Sequence, residues 1–184
     1  ACVGIDVMVF CFFFFFKVWA TTELSALPLH AALPICLVVG GGKVAARKVS
    51  LLVRAAARVE VVSPELGKAM QQHLDRGQIT HSARVFEETD VANKVLVIAA
   101  TGEHVVNRRV SELCRQQNIP VNVVDQPDLC SFIMPSIIDR SPVQVAVSTG
   151  GHSPVLARLL RARLESYVPA AYGRLAKLVE SFRD

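Results

Sequence analysis

The chain has 184 residues, of which 52% are apolar, 20% charged and 7% aromatic, a composition that excludes a disordered segment and leaves ample material for a core. The length suits one domain, or one domain with an extension, and excludes a multidomain machine. Twenty Lys+Arg against sixteen Asp+Glu give a net charge of +4, too small and too dispersed for a nucleic-acid footprint; an acidic small molecule is the milder inference.

Residues 1–35 are atypical. The apolar run Val7–Phe16 is followed by Lys17 and a stretch rich in Ala, Leu and Pro up to Pro34, with no helical or strand period. A bilayer-spanning helix needs about 20 apolar residues, so a transmembrane span is not expected. A signal peptide competes, but the chain lacks an initiating Met and a basic leader, and Asp6 stands where that leader would be. The abrupt change at Ile35–Cys36 favours a segment foreign to the protein, and deleting residues 1–30 is expected not to abolish activity. Five cysteines, Cys2, Cys11, Cys36, Cys114 and Cys130, form no C-x-x-C pair and have no His at metal-ligand spacing. They read as reduced, mostly buried thiols of a cytoplasmic protein.

From Cys36 the periodicity becomes regular. The apolar run Cys36–Val39 leads into Gly40-Gly41-Gly42-Lys43-Val44-Ala45 and then an amphipathic helix through Val53. This is a strand, a G-x-G-x-x-A turn and a helix, the context in which such glycines hold a dinucleotide. Gly40 permits the tight turn and Gly42 lets the backbone approach a pyrophosphate. Ala45 lets the helix lie close to the strand, and Lys43 and Val44 open the helix whose free N–H groups face the anion. The pattern repeats with a strand over Val59–Val62, a helix over Glu65–Arg76 closed by Gly77, a polar strand near Thr80–Arg84 and a strand over Val95–Ala100. A helix over Val105–Gln117 with Val106, Val110 and Leu113 on one stripe then precedes a strand over Val121–Val124. The alternation predicts an α/β fold, a Rossmann-like doubly wound parallel sheet over residues 36–134, followed by a smaller helical region over 135–184. Ligands in such sheets sit at the carboxyl ends of strands, which puts Gly40–Gly42, Ser63, Thr101 and Asp125 on one rim.

The acid that holds an adenosine ribose is expected roughly 20 residues beyond the glycines. Glu65 and the Ser63 hydroxyl are the candidates, although Ser63 and Pro64 equally suit the start of a helix. No Arg cluster stands there to hold a 2′-phosphate, which favours NAD over NADP. Asp125 ends a buried strand on the rim, as a general base or as the former of a turn before Pro127. Farther on, Ser131–Met134 and Ser136–Ile138 read as short extended pieces between prolines, and Val143–Ser148 as a half-buried strand. Ser153 as N-cap and Pro154 at the first helical position open a helix with Val155, Leu156, Leu159, Leu160 and Leu164 on one side. The turn Thr149-Gly150-Gly151-His152-Ser153 reads either as an anion site or as an ordinary capped helix, with Arg158, Arg161 and Arg163 solvated. His30, His73, His81 and His104 are scattered and read as exposed or structural.

In order and spacing, the segments Val38–Ala45, Asn122–Asp125, Ser131–Ile138 and Val147–Arg158 resemble the N-terminal module of siroheme synthase, the precorrin-2 dehydrogenase and sirohydrochlorin ferrochelatase family. The resemblance covers essentially Cys36–Asp184. It implies NAD-dependent oxidation of precorrin-2 to sirohydrochlorin, followed by insertion of Fe²⁺ as a substrate, with Asp125 matching the family's catalytic Asp. It also implies a homodimer, with the tetrapyrrole bound beside Asn122, Ser148, Thr149, Gly150 and His152 and the cofactor beside Gly40, Gly42, Lys43, Val44, Ser63, Pro64, Glu65 and Thr101. No nucleic-acid or membrane partner follows from it. Some family members carry Ser at Thr149, where phosphorylation is linked to regulation. Two features depart from the pattern: the segment before Cys36, and Ala55-Ala56-Ala57, which puts alanine where a helix-ending glycine is usual. Different readings of the same residues are an NAD(H)-binding sensor without chemistry and another small-molecule dehydrogenase. The chain reads as either a stand-alone enzyme or a fragment of the trifunctional one.

Overall fold

The computed structural model describes residues 35–182, so the expectations for the first 34 residues lie outside the described residues. The chain divides into two compact units between Phe132 and Ile133. The first holds five strands, β1 (Ile35–Val39), β2 (Arg58–Val62), β3 (Ile79–Ser82), β4 (Leu96–Ala99) and β5 (Val121–Val123), and three helices, α1 (Lys43–Arg54), α2 (Lys68–Asp75) and α3 (His104–Gln116). All strand pairs are parallel and the order is β3-β2-β1-β4-β5. Parallel strands buried on both faces need uninterrupted apolar runs, and the central strand supplies one: Cys36, Leu37 and Val38 have no exposed surface. The helices add their apolar stripes, Ala45, Ala46, Val49 and Leu52 from α1 and Val110, Leu113 and Cys114 from α3. Burial without compensating charge pushes the thiols of Cys36 and Cys114 up to about 12, so both act as small core side chains.

Helix α2 is shorter than its sequence pattern. Ser63 and Pro64 do not open it; Gly67 is its N-cap, without a side-chain cap. The reason is the Ser63 hydroxyl, which is buried and donates to the Glu65 carbonyl, bending residues 63–67 into a loop of their own. His81 of β3 braces this loop through the Ser63 carbonyl at 2.9 Å. His73 contacts Ser50 and Gln78, which ties α2 to α1. A 3-10 turn at Glu88–Val91 takes the place of a crossover helix before β4 and buries Val91.

The alanine run after α1 forms a Schellman ending. Ala57 N donates to Leu52 O at 3.1 Å and Ala56 N to Val53 O at 3.0 Å, with Ala56 at φ 58°. An L-residue in this left-handed region costs about 1 kcal/mol relative to glycine. Ala56 is exposed and loses no packing when truncated. Ala56→Gly is therefore expected to stabilise the protein by about 1 kcal/mol in urea denaturation; an unchanged or lowered midpoint would contradict the assignment.

The second unit is an antiparallel hairpin of β6 (Ser136–Arg140) and β7 (Val143–Val147) with α4 (Pro154–Tyr167) and α5 (Ala171–Glu180). Ser153 caps α4 as expected, accepting from Leu156 N at 3.2 Å. The apolar stripe of α4 is not a core stripe, however. Val155, Leu156, Leu159, Leu160 and Leu164 are exposed, and only Ala157 is buried. Arg161 is engaged by partners: it and Arg140 share Glu165 at 3.1 and 3.0 Å, and Arg161 donates to Ile137 O, binding α4 to β6. Helix α5 approaches through Gly173, where a Cβ would overlap the Arg140 carbonyl oxygen.

Candidate functional site

Because the strands are parallel and in register, with Val39 beside Val62 and Ala99, and Ala99 beside Val123, the residues that follow them emerge along one edge. Gly40, Ser63, Thr101 and Asp125 all stand there. The strand order reverses between β1 and β4, the switch point at which doubly wound sheets open a crevice.

The glycine turn is built by crowding on one side and space on the other. Gly40 has φ 118°, and a Cβ there would lie 2.5 Å from Ala100 O. At Gly41 a Cβ would overlap Glu65 O and Ser63 Oγ, because the 63–67 loop folds onto the turn and Gly67 N donates to Gly41 O at 2.9 Å. The sequence reading gave Gly41 no role, since its neighbour arrives from 24 positions down the chain. Gly42 is the opposite case: nothing among the described residues lies within 4 Å of its would-be Cβ. It caps α1 without a side chain, and no acidic residue stands in the first turn. The first N–H groups of α1 thus face open space at the positive end of the helix dipole, with Lys43 exposed beside them. This cradle fits a pyrophosphate.

Around the turn, each expected residue has a definite place. Pro64 and Glu65 are exposed, whereas Ser63 is buried with its hydroxyl engaged, which leaves the Glu65 carboxylate without a partner among the described residues at the end of β2. Thr101 is clamped by Asn107, a residue the sequence reading missed. The Asn107 side chain is 2% exposed; its Oδ1 accepts from Thr101 Oγ1 at 2.8 Å and its Nδ2 donates to Thr101 O at 3.1 Å. The signal was an amide on the buried face of α3, one turn before Val110 and Ser111. Asn122 is buried, and its Nδ2 donates to Phe132 O at 3.0 Å.

Asp125 is exposed, at φ 59°. Its carboxylate takes part in no hydrogen bond or ion pair among the described residues, and Lys48 of α1 is close enough to feel its charge. Burial is the main force pulling the Lys48 pKa below the usual lysine range, with Arg47 assisting and Cys130 and Asp125 opposing.

In the second unit the 148–153 loop is knotted on itself. Thr149 Oγ1 donates to Ser153 O and accepts from Ser153 N, at 3.0 and 3.1 Å, and His152 N donates to Thr149 O. Ser148 Oγ accepts from Gly150 N at 3.2 Å, and Ser148, Gly150 and His152 are exposed. Among the described residues no three His, Cys, Asp or Glu are grouped to hold a metal ion, and no helix is long and apolar enough to cross a membrane.

Residues 29–136 match the family model described as putative NAD(P)-binding. The chain belongs to this family. Residues 140–167 match a second model, sirohaem biosynthesis protein central. Over 148 residues this NAD(P)-binding family member is 66% identical to a siroheme synthase of Thioalkalivibrio sulfidiphilus, a match covering 80% of the chain and 30% of that relative. A siroheme synthase of Methylobacillus flagellatus is 58% identical over 149 residues, 81% of the chain and 32% of the relative. The chain thus spans about a third of the length of these relatives. Among solved structures, one described as SirC, precorrin-2 dehydrogenase, matches with a TM-score of 0.69 at 23% identity, over 80% of this chain and 73% of that one, which establishes a shared fold. The resemblance to the siroheme synthase family, stated from four motifs, is what the comparisons find.

Proposed function

We propose that the chain binds NAD⁺ at the glycine turn and oxidises precorrin-2 to sirohydrochlorin, with Asp125 as general base. The observation that carries this reading is the placement of an unpartnered carboxylate on the same rim as an open, dipole-directed anion cradle. Precorrin-2 must lose two hydrogens: one leaves as hydride to bound NAD⁺, the other as a proton. The proton needs an acceptor on the rim, and Asp125, exposed and unpaired among the described residues, stands at the end of β5. Gly40 and Gly42 admit the pyrophosphate, with Lys43, Val44 and Thr101 beside it. Glu65, next to Ser63 and Pro64, accepts from the ribose hydroxyls and opposes a 2′-phosphate, which selects NAD. Iron insertion, with Fe²⁺ as substrate, displaces two pyrrole protons, and the same carboxylate suits their removal. The exposed groups of the 148–153 loop, Ser148, Gly150 and His152, with Thr149 shaping it, would receive substrate carboxylates. The exposed apolar faces of α4 and α5, including Leu159, Leu175 and Leu178, support a homodimer. The dependence on NAD⁺ fits the cytoplasm.

The test is anaerobic absorbance on mixing protein, NAD⁺ and precorrin-2. Wild type is expected to produce the sirohydrochlorin spectrum only with NAD⁺. Asp125→Asn is expected to lower kcat by about 10²- to 10⁴-fold, the usual range for a positioned base, with NAD⁺ affinity unchanged. Asn tolerates the left-handed region as well as Asp, so the turn survives. Equal turnover by the two proteins would remove Asp125 from the chemistry and point to another base, whereas NAD⁺ binding with no turnover by either would favour a sensor.

A further inference from the structure

The turn that carries Asp125 is closed by a thiol. Strand β5 is an edge of the sheet, and the outward N–H and C=O groups of an edge strand need partners from elsewhere. After Val123 the chain turns, passes through a 3-10 turn at Pro127–Leu129 and returns along that edge. Ser131 serves one end: its N donates to Val121 O at 2.9 Å, and Val121 N donates to its Oγ at 2.8 Å. Cys130 serves the other. Val123 N donates to Cys130 Sγ at 3.1 Å, and the thiol faces Val123 O at 3.2 Å and Gln126 O at 3.4 Å.

Those contacts bracket Asp125. Gln126 N donates to Val123 O at 3.4 Å, which closes a four-residue turn with Asp125 in the third position at φ 59°. Turns of this hand ordinarily place Gly or Asn there, and another side chain persists only where its surroundings over-determine the backbone. The thiol is half-buried, and desolvation holds it above the ordinary cysteine range, against the Val123 N–H and the nearby Lys48 and Arg115 charges. It is therefore an S–H at neutral pH, able to donate and accept at once. Lys48 feels both Cys130 and Asp125, which places the two groups in one electrostatic neighbourhood.

We propose that Cys130 is a positioning residue for Asp125: its thiol fastens Val123 and Gln126 on either side of the Val124–Asp125 pair and so fixes where the carboxylate stands on the rim. This rests on Asp125 being the base, and it assigns the cysteine a task distinct from the inert packing of Cys36 and Cys114.

The experiment compares Cys130→Ala, Cys130→Ser and Ser131→Ala with wild type, by turnover of precorrin-2 and by amide hydrogen exchange. Ser131→Ala removes equivalent edge contacts at Val121 and controls for stability alone. Cys130→Ala is expected to lower kcat about 10- to 100-fold, as small misplacements of a reacting group do, with the KM for NAD⁺ unchanged. Cys130→Ser is expected to recover most of that loss, since a hydroxyl also donates and accepts. Ser131→Ala is expected to lower Tm to a similar degree and leave kcat alone. Exchange at Val123 and Gln126 should quicken in Cys130→Ala and not in Ser131→Ala. Wild-type kcat in Cys130→Ala, equal kcat losses in the Ala variants, or unchanged exchange at Val123 and Gln126 would each overturn the proposal. Quickened exchange with Asp125→Asn as active as wild type would instead sink the assignment of Asp125 as base, while leaving the thiol's hold on the turn in place.

Discussion

Gly41→Ala is expected to abolish NAD⁺ binding and to destabilise the fold, the largest combined effect of any single methyl group added to the glycine turn. The added Cβ would overlap the Glu65 carbonyl oxygen, with the Ser63 hydroxyl beside it. Backbone cannot rotate away as a side-chain tip does, so the 63–67 loop must lift. Its hydrogen bond from Gly67 N to Gly41 O is then lost, and with it the N-cap of α2. Overpacking of this kind costs about 1–3 kcal/mol or more, and the displaced loop takes Glu65 from the proposed ribose position. Gly42→Ala separates the two consequences. Space around Gly42 is open, so stability should hold, but the methyl would stand where a pyrophosphate approaches α1. Calorimetric NAD⁺ titration and urea denaturation of both variants check the pair: both lose affinity, and only Gly41→Ala loses stability. Wild-type affinity in Gly42→Ala would mean that the turn is structural and the cofactor lies elsewhere.

This contrast also shows what the amino-acid sequence could and could not reveal. The five parallel strands were legible because parallel sheets demand apolar runs such as Cys36–Val39 and Leu96–Ala99, and the glycine turn because its strand and helix flank it. Which alanine of the run Ala55-Ala56-Ala57 takes the left-handed conformation, Ala56, was not legible, but that one of them stands where glycine usually ends a helix was. The roles of Gly41, Asn107 and Cys130 were not, since each depends on a segment that returns from elsewhere: the 63–67 loop, the backbone of Thr101, and the edge of β5. Helix α2 was read too long because a buried Ser63 hydroxyl that folds back on Glu65 looks, in sequence, like an N-cap. The stripe on α4 misled for a different reason. Periodicity reports which face of a helix is apolar and says nothing of what covers it, and Leu156 and Leu159 are exposed in the single chain.

Asp125→Gly should yield a protein that is more stable than wild type and catalytically dead. At φ 59° an L-residue carries a backbone cost that glycine escapes, worth about 0.5–1 kcal/mol, and the exposed, unpartnered carboxylate contributes no hydrogen bond among the described residues to offset it. Removing it also removes the proposed proton acceptor, for a loss of about 10²- to 10⁴-fold in kcat. The two readings of this residue therefore predict opposite pairings. A turn former at a left-handed position is improved by glycine in every respect, so turnover would stay while the denaturation midpoint rises. A base held in an unfavourable conformation gives up activity as it gains stability, the pattern expected when strain is kept because the site needs that side chain at that place. Urea midpoints and turnover measured on Asp125→Gly and Asp125→Asn together decide it. Asn retains the backbone preference and loses the charge, and Gly loses both, so a shared collapse in kcat with a midpoint raised only in Gly assigns the chemistry to the carboxylate and the strain to its backbone.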